Sequence, residues 1–145
     1  MAQFKAGNGR LEIRLSGSGG QGVITAGVIL AEAAILDGKN AVQSQSYGPE
    51  SRGGYSKCEV ILSDGEIDYP KVSSPDVLLA LTEEALAHYG KTVKTEGLLI
   101  ADESIGEPSG LQEGVRVLRV PILQTAREKV GREITANVVA LGVLA

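Results

Sequence analysis

The strongest constraint on the fold is a glycine-rich turn that joins a short alternating segment to a long apolar one. Residues 11–15 alternate apolar and charged side chains, which predicts a strand, and the turn at 16–22 follows at once. Residues 23–36 are rich in alanine and apolar nearly all round, so they predict a buried helix that stops at Asp37 and Gly38. A strand, a tight turn and a helix in this order are typical of the start of an α/β domain.

The rest of the chain continues this alternation of strands and helices. Further strands are predicted at 41–46, 55–63, 77–81, 97–101 and 115–120. Further helices are predicted at 82–89, with Thr82 as the N-cap, and at 121–130. We therefore expect an α/β fold: one three-layer domain over residues 1–145, with a mainly parallel sheet and helices on both faces. The last segment, ANVVALGVLA, begins an apolar helix without a stop signal, so we expect the natural chain to continue.

Composition excludes several classes of protein. A net charge of -4 does not suit a nucleic-acid binder, and no apolar run reaches the length of a membrane span. The first residues lack a secretory signal, which predicts a cytoplasmic protein. The single cysteine, Cys58, can form no internal disulfide and cannot hold an iron–sulfur cluster, which commonly takes four thiolates.

The glycine turn is itself a candidate anion site. Gly17, Gly19 and Gly22 match the pattern G-x-G-x-x-G between a predicted strand and a predicted helix. Unpaired N–H groups and the helix dipole stabilise a phosphate or carboxylate at such a helix start. The alternative is that these glycines only permit a tight turn. NAD is disfavoured, because Asp37 precedes the second strand and the end of that strand, at 43–46, has no acid.

A second candidate is the loop at 45–54. Arg52 lies there between Ser51 and the pair Gly53-Gly54, and arginine forks well onto phosphate. The alternative is an ordinary surface connection with a solvated arginine. Both this loop and the glycine turn follow strand ends on one edge of the predicted sheet, so we expect them to face one crevice.

Other polar residues fit structural roles better than catalytic ones. His88 is predicted near the end of a short helix, where a solvated histidine is common, and Cys58 is predicted to pack within a strand. The acids at 64, 66 and 68 are typical of a solvated turn. No triad or metal-ligand spacing is recognisable, so we expect no catalytic residue and no metal site on this chain.

Four ordered blocks resemble one known family over nearly the whole chain. IRLSGSGGQGVITAGVILAEAA, QSQSYGPESRGG, PDVLLALTEEAL and NVVALG are similar to segments of the gamma subunits of 2-oxoacid:ferredoxin oxidoreductases. The form QSYGPESRGG is most like the 2-oxoglutarate branch; 2-oxoisovalerate, pyruvate and indolepyruvate branches are alternatives. The resemblance implies a Rossmann-like fold of the kind called domain III in pyruvate:ferredoxin oxidoreductase. Family members run further past NVVALG than this chain does.

The resemblance also implies a function. Such enzymes combine alpha, beta, gamma and often delta chains, and they convert a 2-oxoacid and coenzyme A to acyl-CoA, carbon dioxide and reduced ferredoxin. Thiamine diphosphate, magnesium and iron–sulfur clusters would be held by the partner subunits, and this chain would bind or gate coenzyme A. The residues implied in coenzyme A binding are those of the turn and the second loop: Gly17, Gly19, Gly20, Gln21, Gly22, Ser51, Arg52, Gly53 and Gly54.

Two alternatives to a ligand-binding subunit remain. The first is a purely structural interaction module that packs against partners and binds no small molecule. A stand-alone nucleotide-binding flavoprotein is disfavoured by the low aromatic content and by the missing acid on the second strand.

Overall fold

In the part of the chain that the structure describes, six strands and three helices form where the sequence has its apolar segments. The computed structural model describes residues 9–18, 22–47, 55–68, 70–126 and 128. The strands are β1 (Arg10–Ser18), β2 (Asn40–Tyr47), β3 (Tyr55–Ser63), β4 (Val77–Ala80), β5 (Leu98–Asp102) and β6 (Arg116–Val120). The helices are α1 (Val23–Leu36), α2 (Glu83–Tyr89) and α3 (Ile122–Thr125), and a 3-10 turn at Gly90–Thr92 extends α2.

The strands form one sheet in the order β2-β3-β1-β4-β5-β6. The pairs β1–β4, β4–β5 and β5–β6 are parallel, as the continuous apolar run of β4 predicts. β3 is antiparallel to both β1 and β2, so β2 points the same way as the parallel block. The prediction of a mainly parallel sheet is confirmed, with β3 as the one described strand that runs the other way.

Helices cover both faces of the sheet, as predicted. One face buries Ile13 and Leu15 of β1 together with Val60 of β3 beneath α1 and α3. The other face buries Leu78 and Leu99 beneath α2. Both clusters are almost entirely aliphatic, as expected for a sheet enclosed between helices. Among the described residues, no helix has the length and apolar character needed to cross a membrane.

The start of α2 matches its sequence signal. Thr82 is the N-cap, and its Oγ1 accepts a hydrogen bond from the N–H of Ala85 at 3.1 Å. Glu83 and Glu84 lie in the first turn, where their charge complements the helix dipole. The predicted cap and the predicted end at Tyr89 are both confirmed.

The structure corrects two expectations about the first strand and helix. Ser16, Gly17 and Ser18 were expected in the turn, but they belong to β1, because they pair with β3. α1 has its predicted bounds, yet it is buried only on its inner side, and Leu36 on its outer side is 89% exposed. The predicted helix at 121–130 is described as the short α3, and residues 129–145, including the expected final helix, lie outside the described residues.

Candidate functional site

The two candidate loops leave the sheet at the same edge. Ser18 at the end of β1 pairs with Tyr55 at the start of β3, and Tyr47 at the end of β2 pairs with Ser56. The strand ends that flank segments 19–21 and 48–54 are therefore neighbours. The prediction that both loops follow strand ends on one edge of the sheet is confirmed. The reason is that β3 lies between β1 and β2 and pairs with both strands.

Of the nine predicted site residues, the structure describes Gly17 and Gly22. Gly17 is buried in β1, and Gly22 has φ 70° and ψ 27°, a left-handed conformation that favours glycine. The carbonyl of Gly22 accepts a hydrogen bond from Ala26 at 3.0 Å, which makes it the N-cap of α1. The other predicted site residues lie outside the described residues: Gly19, Gly20, Gln21, Ser51, Arg52, Gly53 and Gly54.

The N-terminus of α1 has electrostatics that suit an anion. Among the described residues, no side chain caps it, and its first turn holds no acidic residue. The first N–H groups and the dipole of such a helix start favour a phosphate or carboxylate. α2 differs, since Thr82 caps its start and two acids in its first turn repel an anion. The electrostatics of the edge thus favour an anion at α1 over α2.

The chain leaves the carboxyl ends of β1 and β4 toward opposite edges of the sheet. From β1 the chain crosses by α1 toward the β2 side, and from β4 it crosses by α2 on the other face toward β5. Ligands gather at the carboxyl ends of strands where the chain direction divides in this way. The N–H of Leu81 donates to the carbonyl of Ser16 at 3.0 Å, so β1 and β4 stay paired through the carboxyl end of β4.

Two serines, which the sequence interpretation missed as site residues, fix the base of this edge. The Ser16 hydroxyl donates to the carbonyl of Ser56 at 3.0 Å, and the Ser56 hydroxyl donates to the carbonyl of Gly17 at 3.5 Å. Both serines are buried, at 0% and 3% exposure. These hydrogen bonds tie the end of β1 to the start of β3, two of the strand ends that flank segments 19–21 and 48–54.

A further polar group at the carboxyl edge is Asp102, the last residue of β5, which is 2% exposed. One carboxyl oxygen accepts from the N–H of Leu123 at 2.8 Å, and the other accepts from the N–H and the hydroxyl of Ser104 at 3.0 and 2.5 Å. These local bonds occupy both carboxyl oxygens, so Asp102 stabilises the start of α3 and the turn after β5.

A buried charged cluster lies on the face of the sheet opposite α1. The guanidinium of Arg14 donates to Thr92 Oγ1 and to the carbonyl of Val72, both at 2.9 Å, and it lies 4.9 Å from the ring centre of Tyr89. Arg14 also lies 3.7 Å from Glu59. Because Arg14 links β1 to the segments before β4 and after α2, its role is structural.

Cys58 is a packing residue, as the sequence predicted. Its side chain is fully buried, and Gln43 Nε2 lies 3.2 Å from the sulfur. Burial raises the pKa of the Cys58 thiol, the hydrogen bond from Gln43 opposes this rise, and the charge of Glu59 adds to it. The thiol is therefore protonated and inert at neutral pH.

The raised pKa of Cys58 predicts a pH dependence of stability. Above about pH 8.5 the thiol ionises in the unfolded chain but keeps its proton in the native chain. Release of this proton favours unfolding, so the stability that the buried thiol contributes is lost as pH rises through the native pKa. We expect the free energy of unfolding to fall more steeply between about pH 8 and pH 10 in the natural chain than in Cys58→Ala. Urea unfolding at several pH values measures this difference, and equal slopes would contradict it.

The remaining polar candidates are ordinary surface groups. His88 is exposed in the last turn of α2, and Asp64 is exposed and pairs with Lys39 at 2.9 Å. In the part of the chain that the structure describes, no group of three or more His, Cys, Asp or Glu side chains is arranged to hold a metal ion.

Comparisons with known proteins place this geometry in context. A family model described as pyruvate ferredoxin/flavodoxin oxidoreductase matches residues 12–145. The 2-oxoglutarate synthase subunit KorC of Methanothermobacter marburgensis is 50% identical over 141 residues, which cover 93% of this chain and 76% of that subunit.

Two solved structures share the fold. The gamma subunit of a keto/oxoacid ferredoxin oxidoreductase from Geobacter sulfurreducens is 53% identical with a TM-score of 0.81, and the match covers 94% of this chain and 74% of that one. The 2-oxoglutarate:ferredoxin oxidoreductase of Magnetococcus marinus, solved with 2-oxoglutarate, coenzyme A and succinyl-CoA bound, is 28% identical with a TM-score of 0.84. That match covers 94% of this chain and 24% of the other.

Proposed function

Because the chain belongs to the pyruvate ferredoxin/flavodoxin oxidoreductase family, we propose that it is the gamma subunit of a 2-oxoglutarate:ferredoxin oxidoreductase and that it binds or gates coenzyme A. Its identity of 50% to a 2-oxoglutarate synthase subunit favours the 2-oxoglutarate branch over the 2-oxoisovalerate, pyruvate and indolepyruvate branches. The overall reaction is oxidative decarboxylation of the 2-oxoacid to acyl-CoA, with transfer of electrons to ferredoxin.

One observation carries the coenzyme A proposal. The N-terminus of α1, which no described side chain caps and whose first turn has no acid, lies at the sheet edge where the strands flanking the segment with Arg52 end and begin. Coenzyme A carries phosphate groups, which such a helix start stabilises without any basic side chain. The Magnetococcus relative was solved with coenzyme A bound, which supports the same ligand class.

We propose that the chemistry itself belongs to the partner subunits, the alpha and beta chains and, as often in such enzymes, a delta chain. Thiamine diphosphate with magnesium supplies decarboxylation, and iron–sulfur clusters supply electron transfer to ferredoxin. This chain has one cysteine, which is buried, and its described residues include no cluster of three or more His, Cys, Asp or Glu side chains that could hold a metal ion. Its contribution is to hold the thiol end of coenzyme A near the acyl group, so that acyl transfer becomes effectively intramolecular.

We expect Arg52→Ala in the assembled enzyme to raise the KM for coenzyme A about tenfold, with little change in the reduction of the enzyme by the 2-oxoacid alone. The reason is loss of a charge-assisted hydrogen bond to phosphate. Steady-state assays with varied coenzyme A measure the effect. Arg116→Ala is the matched control, because Arg116 is exposed at the opposite end of the parallel strands, opposite Leu98.

An unchanged KM in Arg52→Ala would contradict the role of Arg52. Titration of coenzyme A into the complex with and without this chain separates the ligand-binding function from the purely structural one. Equal affinity in both titrations would favour the structural interaction module.

A further inference from the structure

The outer side of α1 is an apolar surface. Leu36, Ile35, Ile29 and Val28 are 89%, 56%, 43% and 37% exposed. They follow helical spacing, since 28 and 35 are two turns apart, as are 29 and 36, so they form one stripe. Glu32, in the middle of the stripe, is the one charged residue of α1. A helix that is apolar all round is typical of a helix buried on both sides.

This stripe continues into a groove at the edge of the sheet. Ile35 lines both, and the groove has a volume of about 510 Å³ with an apolar floor of Ala41 and Val42 from β2 and Ile67. Its rim is polar and consists of Lys39, Asn40, Glu66 and Asp68. β2 ends the order of described strands, so its outer backbone groups face no described strand. An apolar centre with a polar rim and an open strand edge is the anatomy of a protein interface.

We propose that this α1–β2 surface, formed by the outer side of α1 and the groove beside β2, docks onto the larger chain of the oxidoreductase through an aliphatic, uncharged patch of that chain. The inference rests on the proposed function. In the Magnetococcus relative, the fold matched here is 24% of the chain, so there the domain belongs to a much larger polypeptide. A separate subunit with this fold lacks that covalent link, so it needs a surface that binds the larger chain noncovalently.

The charge pattern favours the larger chain over a second copy. A two-fold contact between the outer sides of two α1 helices would bring the two Glu32 side chains toward each other, because Glu32 lies near the middle of the stripe. No lysine or arginine on α1 would neutralise them. A heterologous partner without acids in its patch avoids this repulsion.

Leu36→Glu in the co-expressed complex tests the surface. Leu36 is 89% exposed, so the variant should keep the far-ultraviolet spectrum and Tm of the natural chain, while its affinity for the larger chain falls about tenfold or more. Leu118→Glu is the matched control, because Leu118 is 49% exposed on β6, at the other edge of the sheet. Ile29→Ser is a second, milder variant on the stripe, and we expect it to weaken association in the same direction.

The outcomes separate the surface from the function. Association of Leu36→Glu equal to that of the natural chain would overturn the docking surface and leave the proposed function standing. Failure of the natural chain itself to associate with the larger chains would overturn the proposed function. A homodimer of the natural chain that Leu36→Glu dissociates, measured by sedimentation, would overturn the heterologous partner.

Discussion

Gly27→Ala is expected to lower the free energy of unfolding by about 2–4 kcal/mol, although alanine is the better helix former. A Cβ atom on Gly27 would lie 2.0 Å from the sulfur of Cys58 and 3.2 Å from its Cβ. Neither group can move easily, because Cys58 is fully buried on β3, which is paired on both sides. The glycine therefore allows α1 to approach the sheet closely. Urea unfolding of the purified chain, followed by circular dichroism, measures the loss.

A double-mutant cycle identifies the cause. Cys58→Ala removes the sulfur that the new methyl group would meet, so the double variant Gly27→Ala/Cys58→Ala should recover part of the loss, with a coupling of about 1 kcal/mol or more. Gly65→Ala is the matched glycine control, since no atom lies within 4 Å of a Cβ placed there. Additive effects in the cycle, or equal stability of the Gly27 and Gly65 variants, would show that contact with Cys58 does not cause the loss of stability.

This contact also matters for the candidate site. α1 packs on β3 and β2, and its N-terminus opens at the carboxyl edge of the sheet directly after Gly22. A shift of the helix away from Cys58 would move the N–H groups that we propose to face coenzyme A. The packing of α1 against Cys58 therefore also sets the position of the helix end that we propose to bind an anion.

Local sequence patterns predicted the elements whose causes are local. The bounds of α1 follow from an apolar run ended by Asp37 and Gly38, whose φ is 87°. The start of α2 follows from Thr82, whose hydroxyl makes the expected cap. The parallel pairing of β4 follows from its continuous apolar sequence, VLLA, and all four residues are buried.

Long-range pairing explains what the patterns could not predict. The alternation in β1 gives no sign that Arg14 is buried, because its partners Val72 and Thr92 are 58 and 78 residues away. Nor does any local signal extend β1 through Ser16 and Gly17, since that extension depends on β3. The shared sheet edge of the candidate site was predictable, because strands that alternate with helices run parallel and end at the same edge. The hydrogen bonds of Ser16 and Ser56 were not predictable, because they depend on β1 and β3 being neighbours.

Asp102 is the clearest example of a residue whose importance only the fold reveals. In the sequence it opens a polar, glycine-containing connection, but in the structure it ends β5 and is buried. We expect Asp102→Ala to lower the free energy of unfolding by about 3–5 kcal/mol, because it leaves the N–H groups of Leu123 and Ser104 without their acceptor. Thermal and urea unfolding measure this loss.

Asp102→Asn separates hydrogen bonding from packing. The amide has nearly the same size, but it offers one acceptor oxygen where two are needed, and its NH₂ group would face a donor. We expect it to cost about 2–3 kcal/mol, less than alanine. Glu103→Ala, at the exposed neighbouring position, should change stability by less than about 0.5 kcal/mol. An asparagine variant as stable as the natural chain would mean that packing, and not the pair of acceptor oxygens, explains the contribution of Asp102 to stability. A loss of stability in both Asp102 variants but not in Glu103→Ala would show that one carboxyl group ties α3 to the carboxyl end of β5.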